Sequence, residues 1–248
     1  MACIRLDHVS VSFPIYTAGS RSIRARLMAA GSSGRIATDA ASRVLVRGLE
    51  DVSAEIVHGE RVALVGRNGA GKTTMLRVMA GIYEPVAGTA TVEGKVAPLF
   101  EVALGMDPES TGYENIILRG LYLGLSKAEI RAKADEIAEF TELGSFLSLP
   151  LRTYSAGMQA RLSFAVSTCI DPEILLLDEG IGAGDAAFLE KARKRLNAFV
   201  ARAGILVLAS HSDTLVRQLC TRALLLDQGR IVACGPVDEV LARYRGEA

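Results

Sequence analysis

Tryptophan is absent from the 248 residues, and the aromatics together make up only 5%. Sugars favour flat apolar platforms, so an aromatic-rich carbohydrate groove is not expected. An excess of either charge is also missing. Lys+Arg and Asp+Glu stand at 28 each, which leaves no long-range field to draw in nucleic acid. Cysteine is sparse: Cys3, Cys169, Cys220 and Cys234 form no C-x-x-C pair. That spacing argues against a metal site and for a reduced, cytosolic chain. No apolar run approaches the roughly 20 residues needed to cross a bilayer. The strongest runs, such as Ile205-Leu206-Val207-Leu208-Ala209, have the length of buried strands. The start, Met1-Ala2-Cys3-Ile4-Arg5, has no signal-peptide apolar core. Any membrane role is expected to come through a partner.

What the chain does have is Gly66-Arg67-Asn68-Gly69-Ala70-Gly71-Lys72-Thr73, which fits the pattern G-x-x-x-x-G-K-[ST]. An apolar run, Val62-Ala63-Leu64-Val65, precedes it, and an amphipathic stretch from Thr74 to Ala80 follows. That strand–loop–helix context is what a phosphate-binding loop requires. The glycines let backbone N–H groups converge on one anion, and the helix start adds partial positive charge. Lys72 then reaches the β- and γ-phosphates, and the Thr73 hydroxyl becomes a ligand for Mg²⁺.

Elsewhere, apolar periodicity switches between 2 and 3.6. Strands are expected at Ile4–Phe13, Val44–Val46, Val52–Val57, Arg61–Val65, Gly88–Val92, Val96–Phe100, Glu173–Leu177 and Ile205–Ala209. Helices are expected over Gly112–Phe140 with a break near Gly124, then at Ser155–Cys169, Ala186–Ala203, Ser212–Leu219 and Val237–Tyr244. Ser126 and Glu129 make a capping box. Ala223–Asp227 and Arg230–Ala233 read as a hairpin across Gln228-Gly229. Residues 17–42, rich in Gly, Ser, Ala and Arg, read as a flexible insertion. Alternation of strands and helices implies α/β architecture around a parallel sheet.

Ile174-Leu175-Leu176-Leu177 ends in Asp178-Glu179. A buried parallel strand opens at its C-terminal tip, so these carboxylates face a ligand crevice. Asp178 suits Mg²⁺ through water, and Glu179 suits the activation of an attacking water.

Just upstream lies Thr153-Tyr154-Ser155-Ala156-Gly157-Met158-Gln159-Ala160-Arg161-Leu162. It is similar to the signature LSGGQ of the ATPase subunits of ABC transporters, with Ser155 and Gly157 kept. Over nearly its whole length the chain resembles that family. The resemblance implies a P-loop NTPase fold of the ABC type: a parallel core sheet, an antiparallel β subdomain and a helical subdomain. It implies one domain over 1–248, with a catalytic lobe of about 1–100 and 171–248 and a helical subdomain of about 101–170. ATP and Mg²⁺ are implied as ligands. Gly66 to Thr73, with Thr74, would hold the phosphates. Thr73, Asp178 and Glu101, which stands where most members carry Gln, would serve the metal. Lys72, Glu179 and His211, after the strand Ile205–Ala209, would be the catalytic groups. Phe13 or Tyr16 would stack on adenine. Ser155, Gly157, Met158 and Asp185 would face the nucleotide or loop of a second copy.

Three features look like exporters of bacterial surface polysaccharides such as O-antigen, capsule or teichoic acid. These are the signature variant, the segment Leu104–Asn115, and Gly180-Ile181-Gly182-Ala183-Gly184-Asp185 after the acidic strand. The resemblance implies ATP-driven dimerisation that drives an integral membrane permease from the cytoplasmic face of the inner membrane, with contact through Glu101–Asn115. Some members carry an extra C-terminal carbohydrate-binding domain, and a sequence ending at Ala248 is expected either to lack it or to be a shortened form. An importer ATPase, a non-transport ABC ATPase and an unrelated P-loop kinase or GTPase are the competing classes. The signature and His211 argue against the last.

Overall fold

Along the first strand the buried positions run Ile4, Leu6, Val9, Val11, so the alternation skips one residue. A computed structural model describes residues 1–15, 36–38, 44–100, 104–178 and 186–246. In it, β1 (Cys3–Ile15) carries a bulge between Leu6 and Val9, seen as a shift in its register with β3 (Val44–Val57). The extra residue moves Val9 and Val11 back onto the buried face. His8 sits in the bulge with φ 49°, opposite Asp51 with φ 55°. The His8 amide donates to Ser53 Oγ at 2.9 Å, and its Nδ1 lies 2.6 Å from Asp51.

The chain divides into two compact units. One is formed mainly by residues 3–93 and 207–248. It contains a four-stranded antiparallel sheet in the order β2-β3-β1-β5, with β2 at Ile36–Thr38 and β5 at Ala87–Glu93. The two strands expected at 44–46 and 52–57 are one continuous strand. At Gly48-Leu49-Glu50 the apolar pattern is interrupted and the register with β1 shifts on both sides of Leu49, yet the strand runs on. Of the segment 17–42, only 36–38 is described, and it pairs with β3. The same unit holds β4 (Arg61–Val65), almost wholly buried, which pairs in parallel with β9 (Arg222–Asp227). A two-residue turn joins β9 to β10 (Arg230–Pro236). Gln228 and Gly229 both take positive φ, as a tight hairpin demands. Helices α1 (Lys72–Met79), α6 (Asp213–Leu219) and α7 (Val237–Arg245) complete it.

The other unit comprises mainly residues 94–206. Its strands β6 (Val96–Pro98) and β7 (Ile174–Asp178) pair in parallel. The dividing line falls within β8 (Ile205–Ala209). Its helices are α2 (Gly112–Tyr122), α3 (Lys127–Thr141), α4 (Ala156–Ser167) and α5 (Ala186–Arg202). Both α2 and α3 begin with complete capping boxes, Thr111 with Glu114 and Ser126 with Glu129. Phe140 packs between Phe164 and Phe188, with the Arg195 guanidinium 4.3 Å from its ring centre. Two buried polar side chains organise the approach to α2. Asn115, with 0% exposure, accepts from the Asp107 amide and donates to the carbonyls of Asp107, Ser110 and Thr111. Arg119 donates to Ser167 Oγ and to the Leu104 carbonyl, and burial lowers its pKa to about 10.

Candidate active site

The loop between β4 and α1 depends on backbone that only glycine adopts comfortably. Gly66 and Gly71 have φ of 147° and 115°. A Cβ at Gly66 would lie 2.2 Å from the Leu226 carbonyl oxygen, and one at Gly71 would lie 2.8 Å from that of Gly48. The loop is clamped from two sides. Gly229 donates to the Ala70 carbonyl at 2.8 Å, and Glu50 donates to the Gly229 carbonyl at 2.8 Å. No side chain caps the start of α1, whose first turn therefore presents backbone donors beside the loop.

Lys72 is 8% exposed, yet its amine stays within the loop. It donates to the Gly66 carbonyl at 2.6 Å and to that of Arg67 at 3.2 Å. His211, from the segment between β8 and α6, places Nε2 3.2 Å from the Lys72 amine. The structure thus unites a lysine and a histidine 139 residues apart in sequence. Arg67, Asn68, Gly69 and His211 line an open cavity of about 660 Å³ together with Asp227 and Tyr244. That lining is polar, of mixed charge, and open to solvent at Arg67, Asn68 and Gly69. Phe13 is half-buried, and its ring meets that of Tyr83 at 5.2 Å and 66°.

In the other unit, Asp178 ends β7 and is half-exposed after four buried residues. Ser155 caps α4, its Oγ accepting from the Met158 amide at 3.2 Å. Tyr154 is a buried wedge beneath it, with its hydroxyl donating to the Phe146 carbonyl at 2.7 Å. Burial raises the Tyr154 pKa above its ordinary value. Ser155, Gly157, Met158 and Arg161 line a cavity of about 480 Å³ with Glu142 and Phe146. Tyr16, Glu101, Glu179 and Asp185 lie outside the described residues. Among those described, no group of three His, Cys, Asp or Glu residues is placed to hold a metal ion.

The model of the ABC transporter family matches residues 49–182, which span the glycine loop, the signature and the acidic strand. The chain belongs to the ABC transporter family. Among relatives of this ABC ATPase is the O-antigen export system ATP-binding protein RfbE of Yersinia enterocolitica. It is 49% identical over 93% of this chain and 97% of its own length. RfbB of Klebsiella pneumoniae, also named for O-antigen export, is 40% identical over 79% of this chain and 80% of that one. The teichoic acids export ATP-binding protein TagH of Bacillus cereus is 38% identical over 79% of this chain, which spans 36% of that longer protein. In structure, the dimeric ATP-binding cassette MJ0796, solved with ADP and Pi, is similar with a TM-score of 0.66. It is 20% identical and covers 94% of this chain and 98% of its own, a likeness of fold.

Reasoning from sequence missed Asn115, Gly48 and Tyr83. Asn115 carried little signal, since the buried side of α2 also holds Gly112, Arg119 and Gly120 and forms no apolar stripe. Gly48 and Tyr83 carried none, because their neighbours are distant in sequence.

Proposed function

We propose that this chain is the ATP-hydrolysing subunit of an exporter that moves a bacterial surface polysaccharide, O-antigen or capsule, across the inner membrane. One observation carries the ATP reading: a buried lysine amine held at the mouth of a left-handed glycine loop, against a histidine from a distant segment. The relatives named for O-antigen and teichoic acid export support the choice of cargo.

In this reading the triphosphate occupies the loop from Gly66 to Thr74. It replaces the Gly66 and Arg67 carbonyls as partner of Lys72. The Thr73 hydroxyl and the Asp178 carboxylate are hard oxygen donors that fit Mg²⁺, with Glu101 a third candidate. The ion supplies neutralisation of charge on the β- and γ-phosphates. Glu179 takes the proton of the attacking water as the γ-phosphoryl group is transferred and ADP leaves. His211, already beside Lys72, holds that water and the γ-phosphate. For adenine, Phe13 is the better platform of the two aromatics. A Cβ at Gly48 would touch both Phe13 and Thr74, so the ring lies beside the first turn of α1.

A second copy completes the site through Ser155, Gly157, Met158 and Asp185. Gly157 supports this. Its φ is not left-handed, and a Cβ there would meet nothing closer than Ser155 Oγ at 3.9 Å. Its own chain does not require glycine, which leaves space there for a group that approaches α4 from outside. A membrane permease is the other partner. The outward face of α2 carries Tyr113, Ile117, Leu118, Leu121 and Tyr122, each 37–47% exposed, next to the proposed contact segment Glu101–Asn115. Among the described residues no helix is long and apolar enough to cross a membrane. In this scheme the chain works as a peripheral subunit at the cytoplasmic face.

The test is complementation in cells lacking the subunit but retaining its permease. The native chain is expected to restore polymer at the cell surface, and Lys72→Ala is expected to leave it inside. Surface polymer at native level with Lys72→Ala would overturn the reading.

A further inference from the structure

Phe13 would stand isolated as a flat ring on a strand unless something fixed its orientation. Two residues do so. Gly48, buried in β3, faces it so closely that a Cβ there would lie 2.7 Å from Phe13 Cε2 and 3.0 Å from Thr74 Cγ2. The Phe13 ring is therefore seated against bare backbone. That backbone also touches the glycine loop, since the Gly48 carbonyl oxygen lies 2.8 Å from where a Gly71 Cβ would be. On another side Tyr83 meets Phe13 edge to face, a geometry that adds attraction beyond area burial.

Tyr83 is itself tied to α1. Arg77 Nη1 donates to its hydroxyl at 3.0 Å, and the guanidinium carbon lies 5.4 Å from the ring centre. The Tyr83 amide donates to the Arg77 carbonyl at 3.3 Å. Helix α1 begins with Lys72 and Thr73 and has Arg77 in its last turn. One short helix thus carries the phosphate-contacting groups at one end and, through Arg77 and Tyr83, a brace for the aromatic ring at the other.

We infer that Tyr83 and Gly48 are positioning residues that hold the Phe13 ring at a set distance from the phosphate loop, so that base and triphosphate are bound in register. The inference rests on reading Phe13 as the adenine platform. The brace makes base recognition depend on residues that do not touch the nucleotide. A stacked base is worth about five- to 150-fold in affinity, and a displaced ring forfeits part of it. Tyr83→Leu removes the edge-to-face partner. Gly48→Ala pushes the ring or the Thr74 methyl aside, and both can shift without breaking backbone pairing.

The experiment is calorimetric titration of the purified full chain with ATP and, separately, with inorganic tripolyphosphate, which has no base. Phe13→Ala is expected to weaken ATP about tenfold or more and to leave tripolyphosphate unchanged. Tyr83→Leu and Gly48→Ala are each expected to weaken ATP about three- to tenfold, again sparing tripolyphosphate. Tyr83→Phe, which keeps the ring, is expected to recover the affinity lost in Tyr83→Leu. If Phe13→Ala weakens ATP while Tyr83→Leu and Gly48→Ala do not, the brace is refuted and the platform stands. If Phe13→Ala itself leaves ATP binding unchanged, the platform reading fails and the inference falls with it. Equal loss of both ligands in Tyr83→Leu and Gly48→Ala would show general damage to the loop and overturn the positioning role.

Discussion

The partners of Lys72 in its own chain include two carbonyls and an imidazole, all within 3.2 Å. An arriving phosphate has to outcompete them, and its negative charge makes that exchange favourable. Lys72→Ala removes the cation while leaving the loop's glycines in place. Its ATPase rate is expected to fall about 10²–10³-fold, the usual cost of a lost charge-stabilising donor, measured as phosphate release by the purified chain. At this scale the shape of the glycine loop could be read from the sequence alone. Gly66, Gly71 and Lys72 announce themselves because their spacing follows from a backbone shape that few other residues permit. Gly48 does not, because its requirement arises from Phe13 and Thr74, which reach it only after folding. Tyr83 is equally silent, since nothing near it in sequence distinguishes a ring bracing another ring from one at the surface.

Helix α2 and strand β1 show how one residue can set the path of an element. Asn115 satisfies one backbone amide and three carbonyls in the turn leading into α2. Asn115→Ala would leave the Asp107 amide without its acceptor, while the three carbonyls keep backbone donors from Ser110, Leu151 and residue 115, and unfolding in urea is expected to show a loss of about 1–3 kcal/mol. Strand β1 carries a pH dependence at its bulge. His8 has a raised pKa, chiefly through its hydrogen bond to Asp51 and then through the charges of Asp51 and Asp7. A group with a raised folded pKa adds stability below its unfolded value of about 6.5. That contribution is lost as pH climbs through the higher folded value. The difference in urea midpoint between native chain and Asp51→Asn is therefore expected to be larger at pH 5.5 than at pH 8.5. A difference independent of pH would deny the pair this role. Element boundaries were legible where caps or turns marked them, as at Ser126, Ser155 and Gln228-Gly229. They were not where a bulge rephased β1, nor at Gly48-Leu49-Glu50. There the apolar pattern lapses and the register with β1 shifts around Leu49 while the strand runs on, and a residue pattern does not distinguish such an irregularity from a break.

For the whole molecule the account requires two copies. Ser155 and Gly157 lie in one compact unit and the Lys72 loop in the other, and the proposed sandwich sets the first against the partner's second. The opening of α4 carries a serine cap, a glycine its own chain does not need, and an adjoining cavity of about 480 Å³. The aromatic content that would line a glycan groove is low, and we propose that choice of polymer rests with the permease or with the enzymes that build it. The most direct measurement is sedimentation of the Glu179→Gln chain with and without ATP and Mg²⁺, alone and combined with Ser155→Arg. The account predicts a monomer without ATP and a dimer with it, since loss of the base spares both phosphate cradles. Adding Ser155→Arg should return the chain to a monomer that still binds ATP. A Glu179→Gln chain that binds ATP and stays monomeric, or a dimer indifferent to Ser155→Arg, would contradict it.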